Sequence, residues 1–337
     1  MTVRDRLRGG IYGLLVGDAV GVPYEFHRAA AIPPPPQVEM VPPPGFHRAH
    51  ASVPPGTWSD DGAQALVLLE SLLRVGHLDV EDVGRGFVRW ADEGRYAVDR
   101  HVFDIGVQTS QAIGALRAGA PAASAGPTDG WANGNGSLMR VLPLALWHRG
   151  SDAALVADAA AQSSVTHGHL RSQVCCALYC LFARRLLNGM PPSQAWPAAR
   201  AAFDGIYPPG SPEHEELVAH VFPDGAAYEI RGGGYVVESI RAAVALTVSE
   251  DALDYERVVK GAIALGDDTD TTACIAGGLA GIVVGESGIP PRWRDALRGR
   301  ELELVGDPQG ISHQQSEDPA AESIAHGHEG SSVGTSL

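Results

Sequence analysis

Gly266-Asp267-Asp268-Thr269-Asp270-Thr271-Thr272-Ala273-Cys274-Ile275-Ala276-Gly277 reads as a helix entrance crowded with carboxylates and hydroxyls. Beyond it the segment is apolar, and Gly277, Gly281 and Gly285 recur every four residues, a smooth stripe suited to close helix approach. The run is too short to span a bilayer, so the stripe belongs inside a protein rather than a membrane dimer. Comparable helix-length apolar patterns, punctuated by Gly and Pro, extend from near residue 4 to about residue 298, while alternating strand patterns are scarce. They predict an all-α protein with helices near 4–20, 61–75, 79–92, 103–118, 136–147, 151–164, 168–188, 193–203, 235–247, 254–265, 269–285 and 291–298. No linker interrupts them, which favours one domain over residues 1–300.

A second entrance of the same kind is Trp58-Ser59-Asp60-Asp61-Gly62-Ala63-Gln64, leading into Ala65-Leu66-Val67-Leu68-Leu69. Capping alone explains part of both clusters. Ser, Thr and Asp suit N-caps, acids suit the first turn, and Asp61 with Gln64 has capping-box spacing. Three aspartates within four residues (Asp267, Asp268, Asp270) exceed what one cap uses, and crowded carboxylates repel unless protonated or bridged by cations. Hard Asp and Thr oxygens suit Mg²⁺, Mn²⁺ or Ca²⁺, whereas zinc favours His and Cys. If the two entrances face one another, they can hold one or two such ions.

Other segments carry weaker signals. Gly17-Asp18-Ala19-Val20-Gly21-Val22-Pro23-Tyr24-Glu25 ends the first helix, and Gly21 and Pro23 send Glu25 into a turn, where it is either solvated or available to activate water. Trp131-Ala132-Asn133-Gly134-Asn135-Gly136-Ser137-Leu138-Met139-Arg140 is a Gly/Asn-rich loop running toward a helix, and its bare amides suit a diphosphate or simply a turn. His167 and His169 are two apart, so they share no helix face and make no zinc pair, but one can hydrogen-bond a ligand. Residues 32–57, with Pro33–Pro36, Pro42–Pro44 and Pro54–Pro55, cannot be regular helix and form either a lid or a passive loop. Residues 306–337, an acidic Ser/Gly/His-rich stretch, are expected to be a disordered tail.

Composition narrows the function. The 337 residues are 45% hydrophobic, enough for a large core, and carry a formal charge of −15. Seven acids and no Lys or Arg fall in residues 301–337, leaving −8 elsewhere, a balance that opposes tight nonspecific nucleic-acid binding. Lys260 is the single lysine, so Schiff-base chemistry has almost nothing to work with. Cys175, Cys176, Cys180 and Cys274 form no Cys-x-x-Cys pair and read as reduced core thiols. Asp18 interrupts the N-terminal apolar stretch too early for a signal peptide. A cytoplasmic monomer without membrane contact is expected.

Taken in order, these segments resemble the ADP-ribosylglycohydrolase family, which includes the dinitrogenase-reductase-activating glycohydrolases. The resemblance runs over roughly residues 7–298: Gly17-Asp18-Ala19 through Glu25, Ser59-Asp60-Asp61, Phe103-Asp104-Ile105-Gly106, Gly134-Asn135-Gly136-Ser137-Leu138-Met139-Arg140, Thr166-His167, Gly233-Gly234-Tyr235-Val236-Val237 and Asp268-Thr269-Asp270-Thr271-Thr272. It implies an all-α orthogonal helical bundle and a hydrolase that cleaves the bond between ADP-ribose and an acceptor at two Mg²⁺ ions, or Mn²⁺ in some members. By position, Ser59, Asp60 and Asp61 would serve one ion, Asp268 and Thr271 the other, with Asp270 between them. Glu25 matches a glutamate implicated in catalysis, together with the carboxylates Asp60, Asp61 and Asp268. Asn133, Gly134, Asn135, Gly136, Ser137, Met139 and His167 would hold the diphosphate and riboses, and Asp104 and Gly106 would lie near the acceptor or distal ribose. Ser59 and Gly62 replace family threonines, and Asp267 replaces a family glycine and adds a carboxylate; neither change removes an expected ligand. Two rivals stay open at this level: a catalytically weak ADP-ribose or nucleotide sensor of the same fold, and a two-metal hydrolase of phosphoesters.

Overall fold

The computed structural model describes residues 1–223, 228–249 and 254–299. Among them there are thirteen α-helices and no β-strand, only the isolated bridges Arg28–Gly266 and Gly134–Tyr235. The helices are α1 (Val3–Gly21), α2 (Asp60–Val75), α3 (Val80–Glu93), α4 (Val107–Arg117), α5 (Leu142–Trp147), α6 (Asp152–Ser164), α7 (Leu170–Leu187), α8 (Pro192–Ile206), α9 (Pro212–Glu216), α10 (Val236–Val248), α11 (Tyr255–Ile263), α12 (Thr269–Val284) and α13 (Pro291–Ala296). None is long and apolar enough to cross a membrane. The segment 306–337, expected to be a disordered tail, lies outside the described residues.

The all-α expectation holds, with three departures. The helix predicted at 103–118 begins only at Val107, because Asp104 sits in the left-handed region at φ 61°. The helix predicted at 136–147 shrinks to Leu142–Trp147; residues 136–141 form irregular turns around the buried side chain of Arg140. A short helix and a following π-turn (Pro212–Glu216, Leu217–Val221) had no clear sequence pattern. The four cysteines are free and buried, as expected of core thiols.

The pairing of α1 with α12 positions everything else. The two helices run antiparallel with their glycines interleaved: a Cβ built on Gly13 would fall 2.4 Å from the Gly277 carbonyl oxygen, and one on Gly281 would fall 2.0 Å from that of Gly9. At the other end, Gly21 abuts the backbone of Asp270, and Thr269 Oγ1 donates to the Gly21 carbonyl at 2.9 Å. The stripe therefore delivers the acidic entrance of α12 to the C-terminal end of α1. Because the obstructing atoms are backbone, Gly281→Ala must push the helices apart. It should cost about 3 kcal/mol or more and lower the melting temperature by about 6 °C or more. A thermal melt within about 1 °C of the parent chain would mean the pair can slide at no cost.

Candidate active site

Asp18 lies in the last turn of α1 with no exposed surface, and its carboxylate accepts from the backbone amides of Ser59 (2.9 Å) and Gly62 (2.8 Å). It thereby pins the entrance of α2 against α1. Ser59 is the N-cap of α2, and its Oγ donates to Asp61 Oδ2 at 3.0 Å. Gln64 completes no capping box: its amide nitrogen donates to Asp60 Oδ2 (2.8 Å), and its oxygen accepts from Arg140 Nη1 (2.9 Å).

The two entrances meet. Thr271 Oγ1 of α12 donates to Asp61 Oδ2 of α2 at 3.3 Å, across 210 positions of sequence. Asp268 accepts from Asn135 Nδ2 at 2.8 Å, which ties the Gly/Asn loop to α12. Glu25, Asp268 and Asp270 each bring one oxygen within 4.8 Å of the others. Asp61 Oδ1 and Asp270 Oδ2 are buried and have no hydrogen-bond partner.

Capping cannot account for such oxygens, since a buried ionised oxygen without a donor is costly. The electrostatics agree. Burial, then the charges of Asp104, Asp268, Asp61 and Asp18, push Glu25 up to about 10. Burial pushes Asp18 up to about 7, and burial with the charge of Asp268 does the same to Asp104. Asp60, Asp61 and Asp270 stand well above the usual carboxylate range, again through burial first and neighbouring carboxylates second. Orphaned oxygens among hard anionic donors fit divalent cations of the Mg²⁺ or Mn²⁺ type.

A cavity of about 550 Å³ opens beside this cluster, lined by Glu25, Asp60, Asp104, Gly106, Gly134, Asn135, Gly136, Met139, His167, Asp268 and Thr271 among others. Ser59, Asp61 and Asp270 stand behind that lining and are buried. Three of its wall residues, Phe26, Asp104 and Asp267, hold the left-handed backbone conformation, a strain that collects at functional surfaces. Two of the expected residues are not brought to the cavity wall. The Ser137 side chain faces the core, where its Oγ accepts from Ser163 Oγ at 2.8 Å, and that of Asn133 donates to the Gly130 carbonyl at 2.7 Å; neither lines the cavity. The Gly/Asn-rich loop also opens no helix at Gly136, since α5 begins only at Leu142.

His167 does reach the cavity. Its Nδ1 pairs with Thr166 Oγ1 at 2.8 Å, and its ring packs so closely on the loop that a Cβ at Gly136 would meet Cε1 at 2.8 Å. Burial, with the nearby Arg140 cation, lowers it to about 3, so it is neutral at physiological pH. His169 instead caps α7 through the Arg171 amide.

Sequence reasoning missed four contributors. Asp18 had a usable signal, a carboxylate within the otherwise uncharged run from Gly9 to Gly21 that completes α1. Arg140 is fully buried, lies over the Phe87 ring at 4.4 Å and braces Gln64, Gln162 and the Gly136 carbonyl. Gln108 accepts from the Gly134 amide at 2.7 Å. His50, on the Pro-rich segment, sets Nε2 2.6 Å from Glu25 Oε2 and 4.0 Å from Asp104, between the rings of Phe26 and Phe103. Nothing local in the sequence links it to Glu25.

Comparison with known proteins agrees with this geometry. The profile of the ADP-ribosylglycohydrolase family matches residues 1–320. Curated relatives include the ADP-ribosylarginine hydrolase Tri1 of Pseudomonas putida, 33% identical over 86% of this chain and 73% of its own length. Another is the ADP-ribosyl-dinitrogen-reductase glycohydrolase of Rhodospirillum rubrum, 28% identical over 88% of this chain and 91% of its own. A solved ADP-ribosylglycohydrolase-related protein complex superimposes with a TM-score of 0.73 at 30% identity, over 92% of this chain and 98% of that one. With its acidic helix entrances joined through Asp61 and Thr271 beside a cavity of nucleotide-scale volume, the chain belongs to the ADP-ribosylglycohydrolase family.

Proposed function

We propose that this chain hydrolyses the glycosidic bond between ADP-ribose and an arginine acceptor, supported by two Mg²⁺ or Mn²⁺ ions. The observation that carries the reading is the pair of orphaned oxygens on Asp61 and Asp270 at the junction of α2 and α12. Ser59, Asp60 and Asp61 are assigned to one ion, Asp268 and Thr271 to the other, and Asp270 to both. Bound there, the ions would orient ribose hydroxyls and supply Lewis-acid charge near the anomeric carbon.

The protein's own groups do the rest. With cations bound beside it, the Glu25 carboxyl would fall from the raised value it has in the metal-free chain, and ionised it is placed to hold the attacking water and take its proton, with His50 setting the rotamer of its carboxylate through the 2.6 Å contact. The carboxylates around the cavity favour the positive charge that builds on the ribosyl ring as the bond breaks. Gly134, Asn135, Gly136 and neutral His167, which line the cavity, are assigned to the diphosphate and ribose. Asp104 and Asp267 at the wall suit a cationic guanidinium leaving group, which is why arginine is the acceptor chosen.

The test is to incubate the chain with an ADP-ribosylated arginine peptide in Mg²⁺ or Mn²⁺ and analyse the products. Free ADP-ribose whose release EDTA stops is the expected result. AMP or phosphate as product would make it a phosphoester hydrolase, and tight ADP-ribose binding without turnover would make it a sensor. His50→Ala should lower kcat about tenfold with little change in KM, since it frees the Glu25 carboxylate without touching substrate. An unchanged kcat would leave the Pro-rich segment as a passive loop.

A further inference from the structure

A second cavity, of about 650 Å³, lies at the opposite end of α1 and shares no lining residue with the first. Arg6 and Asp18 mark the two ends, roughly 18 Å apart at the helical rise. Arg6, His148, Arg149, Arg184, Leu187 and Asn188 are among its walls. No carboxylate among the described residues lines it, in a chain whose formal charge is −15.

The guanidinium groups are held in place, and those of Arg6 and Arg149 are far from saturated. Arg6 donates from Nη1 to the Ile282 carbonyl at 3.1 Å, and Arg149 donates from Nη1 to those of Leu146 (2.8 Å) and His148 (3.3 Å). Arg184 Nη1 donates to the Gly150 carbonyl at 3.0 Å and to Asp152 at 2.9 Å, and Asp152 divides itself between Arg184 and Arg185. Arg184 Nη2 also meets His148 Nδ1 at 2.8 Å. A guanidinium only donates, so Nδ1 accepts and the His148 proton sits on Nε2, which faces Asp158 at 3.4 Å. Arg6 and Arg149 thus make no ion pair among the described residues. Each guanidinium has five N–H donors, and theirs are mostly unused. Burial and the neighbouring Arg184 charge push Arg149 below its ordinary range, a sign of positive charge without compensation.

We propose that this cavity is a separate oxyanion site that takes a phosphate-bearing small molecule. Planar, donor-rich guanidinium groups with spare N–H bonds match phosphate oxygens, and Val3 and Leu187 give the cavity an apolar margin. The site is independent of the hydrolase reading.

The test is calorimetric titration of the full chain with pyrophosphate, inorganic phosphate and AMP in EDTA, against sodium chloride of equal ionic strength. Without divalent ions the carboxylate-lined cavity repels anions, so binding under these conditions reports the arginine cavity. One saturable site is expected for pyrophosphate, weakened at least about tenfold by Arg149→Gln through loss of charge-assisted hydrogen bonds. Arg149 also caps carbonyls, so Asn188→Asp serves as the second variant; it adds a carboxylate to an exposed wall position and should weaken binding without disturbing those caps. Tighter AMP than phosphate would place a nucleoside against Val3 and Leu187, and equal affinities would restrict the ligand to the oxyanion; both support the site. No binding above the chloride control would overturn the proposal, and so would affinity unchanged in both variants.

Discussion

Asp270→Asn is expected to lower kcat/KM for an ADP-ribosylated arginine substrate by about 10³-fold, equivalent to about 4 kcal/mol of transition-state stabilisation. Asp270 is fully buried, its Oδ1 accepts from the Thr271 amide at 2.8 Å, and its Oδ2 has no partner. The amide keeps the shape but removes the negative charge, so the proposed cation site would lose its central ligand. A folding defect would give the same loss, and stability tells the two apart. Removing one of several crowded buried carboxylates relieves repulsion, so the variant in EDTA should melt no lower than the parent chain. Asp268→Ala serves as a second case, since Asn135 Nδ2 keeps its other acceptor, Ser239 Oγ, at 3.0 Å. Full activity in both variants would end the assignment of this cluster as the reaction centre.

How much of this was legible in the sequence depended on whether a residue's role was local. Asp60, Asp61, Asp268 and Asp270 stood out because carboxylates at a helix entrance exceeded what one cap uses. The glycine stripe of α12 showed that some helix must approach closely. That α1 is the partner depends on Gly9, Gly13, Gly17 and Gly21, whose four-residue spacing mirrors that of α12. Roles set by tertiary contact were out of reach. Residues 136–141 have helical spacing, yet the buried Arg140 draws the chain into turns by bracing Gln64 and Gln162. Ser137 faces Ser163 and Cys176 instead of the cavity for the same reason. His50 reaches Glu25 because Glu39 anchors the Pro-rich segment. The Glu39 backbone bonds to Tyr24 Oη, and its carboxylate accepts from Trp293 Nε1 at 2.6 Å and pairs with Lys260 at 3.2 Å. That anchor also gives the single lysine a structural role.

The stabilising effect of divalent ions should grow steeply with pH. In the metal-free chain Asp18 and Asp104 are raised to about 7 and Glu25 to about 10, with Asp60, Asp61 and Asp270 also raised. Groups whose folded values lie above their unfolded values contribute stability that is complete below about pH 4 and is lost as pH rises through the folded values. The cluster alone therefore weakens the metal-free fold between about pH 4 and pH 8. Cation binding needs the ionised carboxylates, so it releases protons and tightens over the same range. At ion concentrations about 100-fold above Kd, each site adds about 2.7 kcal/mol. The gap in melting temperature between Mn²⁺ or Mg²⁺ and EDTA should then be about 5 °C or more at pH 8 and nearly vanish at pH 5. Calorimetric scans at several pH values, with buffers of differing ionisation enthalpy to count released protons, measure both effects. A gap that stays constant with pH, or ion binding that releases no protons, would mean that Asp61 and Asp270 are not the groups that meet the cation.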